Sequence, residues 1–272
     1  MIITICDAFD LQKIADSGQC FRCRQLDDGR FRFITGTEVI YLKQIAAETY
    51  DVSCSPDAWD GIWTNYFDLS CQYGEACKRV AHDAFLSRAA AEGSGIRILR
   101  QDPWETLISF IISQRKRIPA IQKSVEALAR LCGEPIQTPF ETVYSFPAPA
   151  ALCAQSDQAL SAAGLGYRLP YVRDAAEKVS QNAVLLEHWS HLEDNALFAQ
   201  LKTIRGVGDK VANCVMLFAY GRTSRVPVDT WIEKIIQEEY DGNNIFLTYG
   251  VHAGILQQYA FYYAQHHRPK GW

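Results

Sequence analysis

From Gly95 onward the chain is punctuated as a succession of helices, and this pattern limits the fold more than any other feature of the sequence. Asp102-Pro103-Trp104-Glu105 sets an N-cap, a proline at the first helical position and a capping-box glutamate in order. The helix opened there runs through Leu107–Ile112, and Thr138-Pro139-Phe140-Glu141 repeats the start signal. Further helices are predicted over Ser156–Ala163, closed by Gly164, over Tyr171–Ala183 after Pro170, and over Asn195–Thr203. Three more are expected from Asp209 to about Tyr220, over about Thr230–Glu239 and over about Val251–His266.

The N-terminal stretch reads differently. Asp28-Gly29, between Gln19–Gln25 and Arg30–Thr35, predicts a two-residue hairpin with both central residues at positive φ. Gly36-Thr37 predicts a second, glycine-first hairpin into Val39–Leu42, and a helix is expected over Ala76–Ala91. The expected fold class is therefore α+β: a small antiparallel β-rich domain over 1–94, then an all-helical region over 95–272 with two helical subdomains flanking a cleft.

Composition excludes several classes. At 272 residues, 48% hydrophobic and 21% charged, the chain has the make-up of an ordinary folded protein. No apolar run approaches the roughly 18–20 residues a membrane helix needs, and the first residues show no basic segment or cleavage site, so a cytoplasmic location and a monomer are expected. A net charge of −4 argues mildly against a nucleic-acid partner but does not say where the basic residues sit. The nine cysteines include one lone CxxC, Cys20-Phe-Arg-Cys23, with no second ligand pair to complete a zinc site. No metal and no organic cofactor are expected.

The chemistry concentrates around Gly206-Val207-Gly208, which lies between two predicted helices as a helix-hairpin-helix. Such a turn brings backbone amides to a helix N-terminus, where a phosphate is favoured. Lys210 falls in the first turn of the second helix, where a cation works against the helix dipole and the neutral, nucleophilic amine is favoured. Asp229, in Val226-Pro-Val-Asp229, precedes the next helix and supplies a carboxylate for proton transfer and for stabilising a cationic transition state. The spacing alone favours a surface lysine and an N-cap aspartate.

A series of segments resolves that ambiguity. Ser17-Gly-Gln-Cys-Phe-Arg22, Tyr66-Phe-Asp-Leu69, Gly95–Pro103, Gly164-Leu-Gly-Tyr-Arg168, Gly206–Ala212, Val226–Asp229 and Ala253–Gln257 through Phe261 resemble, in order, the helix-hairpin-helix DNA glycosylases, and within them the 8-oxoguanine DNA glycosylases. The resemblance implies a bifunctional glycosylase/lyase acting on double-stranded DNA that carries a damaged base. Lys210 would form a Schiff base with the sugar and Asp229 would assist it. Gly18 would read the base through its carbonyl, Gln257 would face the Watson–Crick edge, and Cys214 and Phe261 would sandwich the ring. Tyr167 and Arg168 would enter the duplex, and Gly206, Val207 and Gly208 would hold its backbone. The chain departs from the family at Arg115-Lys116-Arg117, where an asparagine-rich stretch is usual, and at Trp231, where the animal enzymes carry a histidine. Arg115 is expected to meet DNA. Two other functions fit the same residues: excision of a different lesion such as an alkylated purine, and DNA binding without catalysis.

Overall fold

The computed structural model describes residues 1–268. Its N-terminal part carries an antiparallel five-stranded sheet of order β1-β5-β4-β3-β2, made of β1 (Ile2–Thr4), β2 (Arg24–Gln25), β3 (Phe31–Thr35), β4 (Glu38–Ala46) and β5 (Thr49–Val52). The glycine-first hairpin forms, with Thr35 paired to Glu38 and Gly36 at a φ of +56°. The preceding hairpin is wider than expected. Leu26 N–H donates to the Arg30 carbonyl across residues 27–29, and within that turn only Gly29 takes a positive φ, +83°. The predicted strand Gln19–Gln25 is also cut down to Arg24–Gln25, because Gln19, Phe21 and Arg22 leave the sheet for partners elsewhere.

Helix α1 (Leu11–Asp16), capped by Asp10, buries Leu11 and Ile14. A continuous helical stretch follows the sheet: α2 (Pro56–Ala58), a π-helical turn Trp59–Trp63, and α3 (Thr64–Tyr66). Tyr66 and Phe67 at its end pack edge-on with Phe33, Phe67 also with Phe9, and Trp63 packs edge-on with Tyr66, all within the first hydrophobic core. The helix expected over Ala76–Ala91 is two, α4 (Gly74–Arg79) and α5 (Ala84–Gly93), because the Asp83 carboxylate caps the second by accepting from Leu86 N–H at 2.7 Å.

The second, larger core is helical. It is built by α6 (Pro103–Ser113), α7 (Ile118–Cys132), α8 (Pro149–Cys153), α9 (Asp157–Ala162), α10 (Leu169–Ser180), α11 (Asp194–Leu201), α12 (Asp209–Phe218), α13 (Thr230–Tyr240) and α14 (Ala253–His267), together with α4 and α5. Helices α4 and α5 precede residue 95, so the seam between the two cores does not fall at the boundary expected from the sequence. α5 lies along α14, and Gly93 makes this possible: a Cβ there would come within 2.7 Å of the Tyr259 ring. α6 is buried on every side from Thr106 to Ile112, the mark of a central helix, with α7, α10 and α12 around it.

Thr138-Pro139-Phe140-Glu141 does not open a helix. It turns a two-stranded hairpin, β6 (Pro135–Gln137) with β7 (Thr142–Tyr144). The Thr138 hydroxyl accepts from the amides of Phe140 at 3.2 Å and Glu141 at 3.0 Å, the local side-chain-to-backbone bonding that competes with helix formation. Among the described residues, no helix is long and apolar enough to cross a membrane.

Candidate active site

Asp229 is the N-cap of α13. Its carboxylate accepts from Trp231 N–H at 3.0 Å and Ile232 N–H at 2.9 Å, which orients it against the helix N-terminus. Burial pushes this carboxyl above its usual range, against the opposing pull of those amides and of the Lys210 charge. Lys210 lies half-buried in the first turn of α12, with its Nζ 5.0 Å from the centroid of the Phe110 ring. Cys214, one helical turn further along α12, shares that face. Burial raises its thiol to about 11, with Lys210 lowering it and Asp229 raising it further, so at neutral pH it is an uncharged, polarizable wall.

These groups meet in one cavity. Ser17, Gly18, Phe110, Lys210, Cys214, Phe218, Pro227, Asp229, Gln257, Gln258 and Phe261 line about 320 Å³ of space, part of it open to solvent. Both residues expected to carry the chemistry are here, with all four expected to recognise the base. Gln257 and Phe261 are four residues apart on α14 and so project from one face. Gln257 is 3% exposed and its Oε1 has no hydrogen-bond partner, an acceptor left for something the cavity receives.

Gly18 faces Phe261 across the cavity. At a φ of +75°, an added Cβ would lie 3.1 Å from the Phe261 ring and 3.2 Å from Ile118. Its neighbour Ser17 is anchored through the carbonyl, which accepts from the Gln258 amide, and through the hydroxyl, which donates to Ile14 O at 2.7 Å. Gly18→Ala is expected to cost about 1–2 kcal/mol from the left-handed backbone alone and to tilt Phe261. The predicted result, if the cavity receives the damaged base that the family resemblance implies, is a smaller ratio of affinities for lesion-bearing and undamaged duplexes, and an unchanged ratio would remove Gly18 from the pocket wall.

The helix-hairpin-helix turn forms as expected, with one refinement. Only Gly206 needs its glycine for conformation, at a φ of +83° with the Tyr171 ring 2.5 Å from any added Cβ. Gly208 has an extended backbone and is the N-cap of α12, and a Cβ there would meet nothing within 4 Å. Its value is the bare approach it leaves to the first-turn amides, which precede the Ala212 N–H to Gly208 carbonyl bond.

The two loop residues expected to enter the duplex divide. Tyr167 is 51% exposed, whereas Arg168 is only 7% exposed and its guanidinium is committed to the Gln114 and Leu165 carbonyls. Arg168 is therefore not the free finger the sequence leads one to expect. It fixes the Gly164–Arg168 loop to the end of α6, and Gln114 in turn donates to the Gly206 carbonyl at 3.1 Å. The basic turn also divides: Lys116 points inward to the Gly164 carbonyl at 2.8 Å and the Ser124 hydroxyl, while Arg115, at a φ of +52°, and Arg117 stay exposed.

Five cavity residues escape a sequence reading: Ser17, Phe110, Phe218, Pro227 and Gln258. Phe110 and Phe218 stack with centroids 5.5 Å apart, and nothing in their apolar helices distinguishes them from core. Gln258 adjoins Gln257 on α14, and no local feature of the sequence sets it apart.

A lysine and a carboxylate lining one cavity, beside a helix-hairpin-helix turn and together with an N-terminal sheet, define a helix-hairpin-helix DNA glycosylase. The family model for the N-terminal domain of 8-oxoguanine DNA glycosylase matches residues 2–107. The structure superposes on MBOgg1 in complex with a low-affinity DNA ligand with a TM-score of 0.93 and 35% identity, over 97% of this chain and 95% of that one. It superposes on the Clostridium acetobutylicum 8-oxoguanine glycosylase/lyase, in complex with double-stranded DNA containing cytosine opposite 8-oxoguanine, with a TM-score of 0.92 and 32% identity over 99% of both chains. The N-glycosylase/DNA lyase of Saccharomyces cerevisiae is 35% identical over 158 residues, which are 54% of this chain and 42% of that protein. The chain thus spans under half the length of that curated relative. The chain belongs to the 8-oxoguanine DNA glycosylase family.

Proposed function

We propose that this protein excises 8-oxoguanine from duplex DNA and then cleaves the strand as a lyase. The observation that carries this reading is that Lys210 and Asp229 share one cavity with Gly18, Cys214, Gln257 and Phe261. A base inside a stack cannot reach such a cavity, so the nucleotide is extruded at a cost of about a few kcal/mol. The space between Phe261 and Cys214 takes the flat ring, the Gln257 carboxamide faces its hydrogen-bonding edge, and the Gly18 carbonyl accepts from the N7–H that guanine lacks.

Lys210 Nζ then attacks C1′ as the N-glycosidic bond breaks, and the base leaves with the bonding electron pair. Positive charge develops on the sugar, and the Asp229 carboxylate stabilises it. Loss of the amine proton and opening of the sugar ring give an imine to Lys210, which acidifies C2′–H. Removing that proton expels the 3′ phosphate and cuts the strand. Lys210 also borders a second, wider cleft with Asn213, Ser224, Arg225, Val228 and Asn244, so the amine can be reached by a strand running past the base pocket. Tyr167 and Arg115, both exposed, would meet the duplex, and the Gly206–Gly208 turn would hold its phosphates.

The test is borohydride reduction of the wild-type protein with duplexes carrying 8-oxoguanine opposite each of the four bases, alkylated purines, or no lesion. A covalent adduct confined to the 8-oxoguanine duplexes is the expected result. Adducts with alkylated purines alone would reassign the substrate, and no adduct with any duplex would leave only DNA binding.

A further inference from the structure

The segment that delivers Gly18 to the cavity ends in a buried ionic joint that the excision chemistry does not use. Arg22 has a side chain with 0% exposure, yet only its Nη2 makes a hydrogen bond, to the Tyr144 carbonyl of β7. Its Nε and Nη1 have none. A guanidinium cannot shed its charge in a protein, so it requires anionic neighbours. Two face it: Glu105 of α6, with Oε2 3.8 Å from Nη1, and Glu126 of α7, with Oε2 3.6 Å from Nε. Glu126 is shared with Arg130 at 3.3 Å, while Glu105 Oε2 is itself buried without a hydrogen bond. The other charged or titratable groups around Glu105 are Asp102, which caps the same helix, and Cys20 and Tyr66 from the sheet side. Beyond Arg22 lies Arg32, paired with Glu141 of the β6–β7 hairpin at 3.0 Å.

The position of this joint gives it consequence. Between Gly18 and Arg22, Gln19 accepts from Leu99 N–H and donates to the Arg97 carbonyl, both at 2.8 Å, and Phe21 packs edge-on against Phe110 with centroids 5.5 Å apart. Phe110 is the ring beneath the Lys210 amine. The backbone that presents Gly18 is therefore clamped at one end by Gln258 on the Ser17 carbonyl and at the other by Arg22 between α6, α7 and β7.

We propose that the Arg22–Glu105 pair is a positioning device for base recognition, setting the Gly18 wall against the α6 floor, and that it works in the ionised state of Glu105. This rests on the reading of the site as an 8-oxoguanine pocket. Burial raises the Glu105 carboxyl to about 7, with Arg22 pulling it down and Asp102 and Glu126 pushing it up. The joint is therefore charged above that pH and neutralised below it. Protonation leaves the guanidinium with Glu126 alone, already shared, and releases the segment.

The experiment compares Glu105→Gln with wild type in two assays: single-turnover excision of 8-oxoguanine, and borohydride trapping on a preformed abasic site, which needs Lys210 but no base recognition. At pH 8, excision by Glu105→Gln is expected to fall on the order of tenfold, as small displacements of a positioning group do, with trapping retained. As pH falls through about 7 the two proteins should converge in excision, because protonated glutamate and glutamine are alike. Equal excision at pH 8, or a deficit that stays constant with pH, overturns the proposal. Should Glu105→Gln fail to fold, Arg22→Lys keeps the charge but not the planar fork that reaches Tyr144 and both carboxylates at once. It should lower excision while sparing trapping, and equal losses in both assays would again overturn the idea. A wild-type protein that traps abasic DNA but excises no 8-oxoguanine would defeat the substrate reading instead.

Discussion

Lys210→Ala is expected to give no borohydride adduct with any lesion duplex and to lower excision of 8-oxoguanine by on the order of 10⁴-fold, the loss typical of removing a covalent nucleophile. The amine stands over Phe110 in the first turn of α12, with Cys214 beside it and Asp229 across the same cavity. Among the described residues, truncation removes the only lysine that lines the cavity, and no other cavity residue there can form an imine. Because Lys210 is half-buried, its loss leaves the second core intact, and the variant should keep the thermal stability of wild type. Lys210→Gln keeps the length and polarity of the side chain and should still bind lesion duplex with affinity within a few-fold of wild type. An adduct with Lys210→Ala would move the nucleophile elsewhere and with it the whole assignment.

Asp229→Asn is the second large effect. Asparagine caps helices about as well as aspartate, so the bonds to Trp231 and Ile232 N–H survive in kind and the fold should hold. The negative charge does not survive. Excision is expected to fall by about 10²–10⁴-fold, the range for a lost acid–base or charge-stabilising group. The pH dependence has a definite sign. Burial holds the Asp229 carboxyl above 3.8, so its active, ionised form is lost as pH falls, and the acid limb of the rate profile should lie above the ordinary aspartate range. The same shift means that ionising Asp229 costs folded-state stability as pH rises from its unfolded to its folded value. In Asp229→Asn that acid limb should vanish, and a limb that persists unchanged would belong to another group.

Much of the architecture could be read from short stretches. Asp102 accepts from Glu105 N–H at 2.7 Å as a cap should, Gly36 takes the positive φ of its hairpin, Ser156 caps α9, and Asp229 caps α13. Each is a contact within a few residues of chain, so the local sequence specifies it. Glu105 shows where such reading stops. Its amide obeys the capping-box rule, but its carboxylate ignores it and faces Arg22, 83 positions away. The site is divided in the same way. Helix position marks Lys210 and Asp229 only as candidates beside a surface lysine and an N-cap aspartate, whereas Cys214, Gln257 and Phe261 carry no local mark and are implied by the family resemblance alone.

Sequence by itself thus determined the order of sheet and helices, most helix starts, the glycine turn and the family. Tertiary structure alone decided that Gln19–Arg22 would abandon the sheet for Arg97, Phe110 and Glu105, and that Arg168 and Lys116 would bond to carbonyls of distant loops. The physical reason is range. Caps and turns are satisfied by neighbours along the chain, but a buried guanidinium or amide takes whatever partner the packed fold brings within about 3 Å, and that partner is chosen by residues far away in sequence.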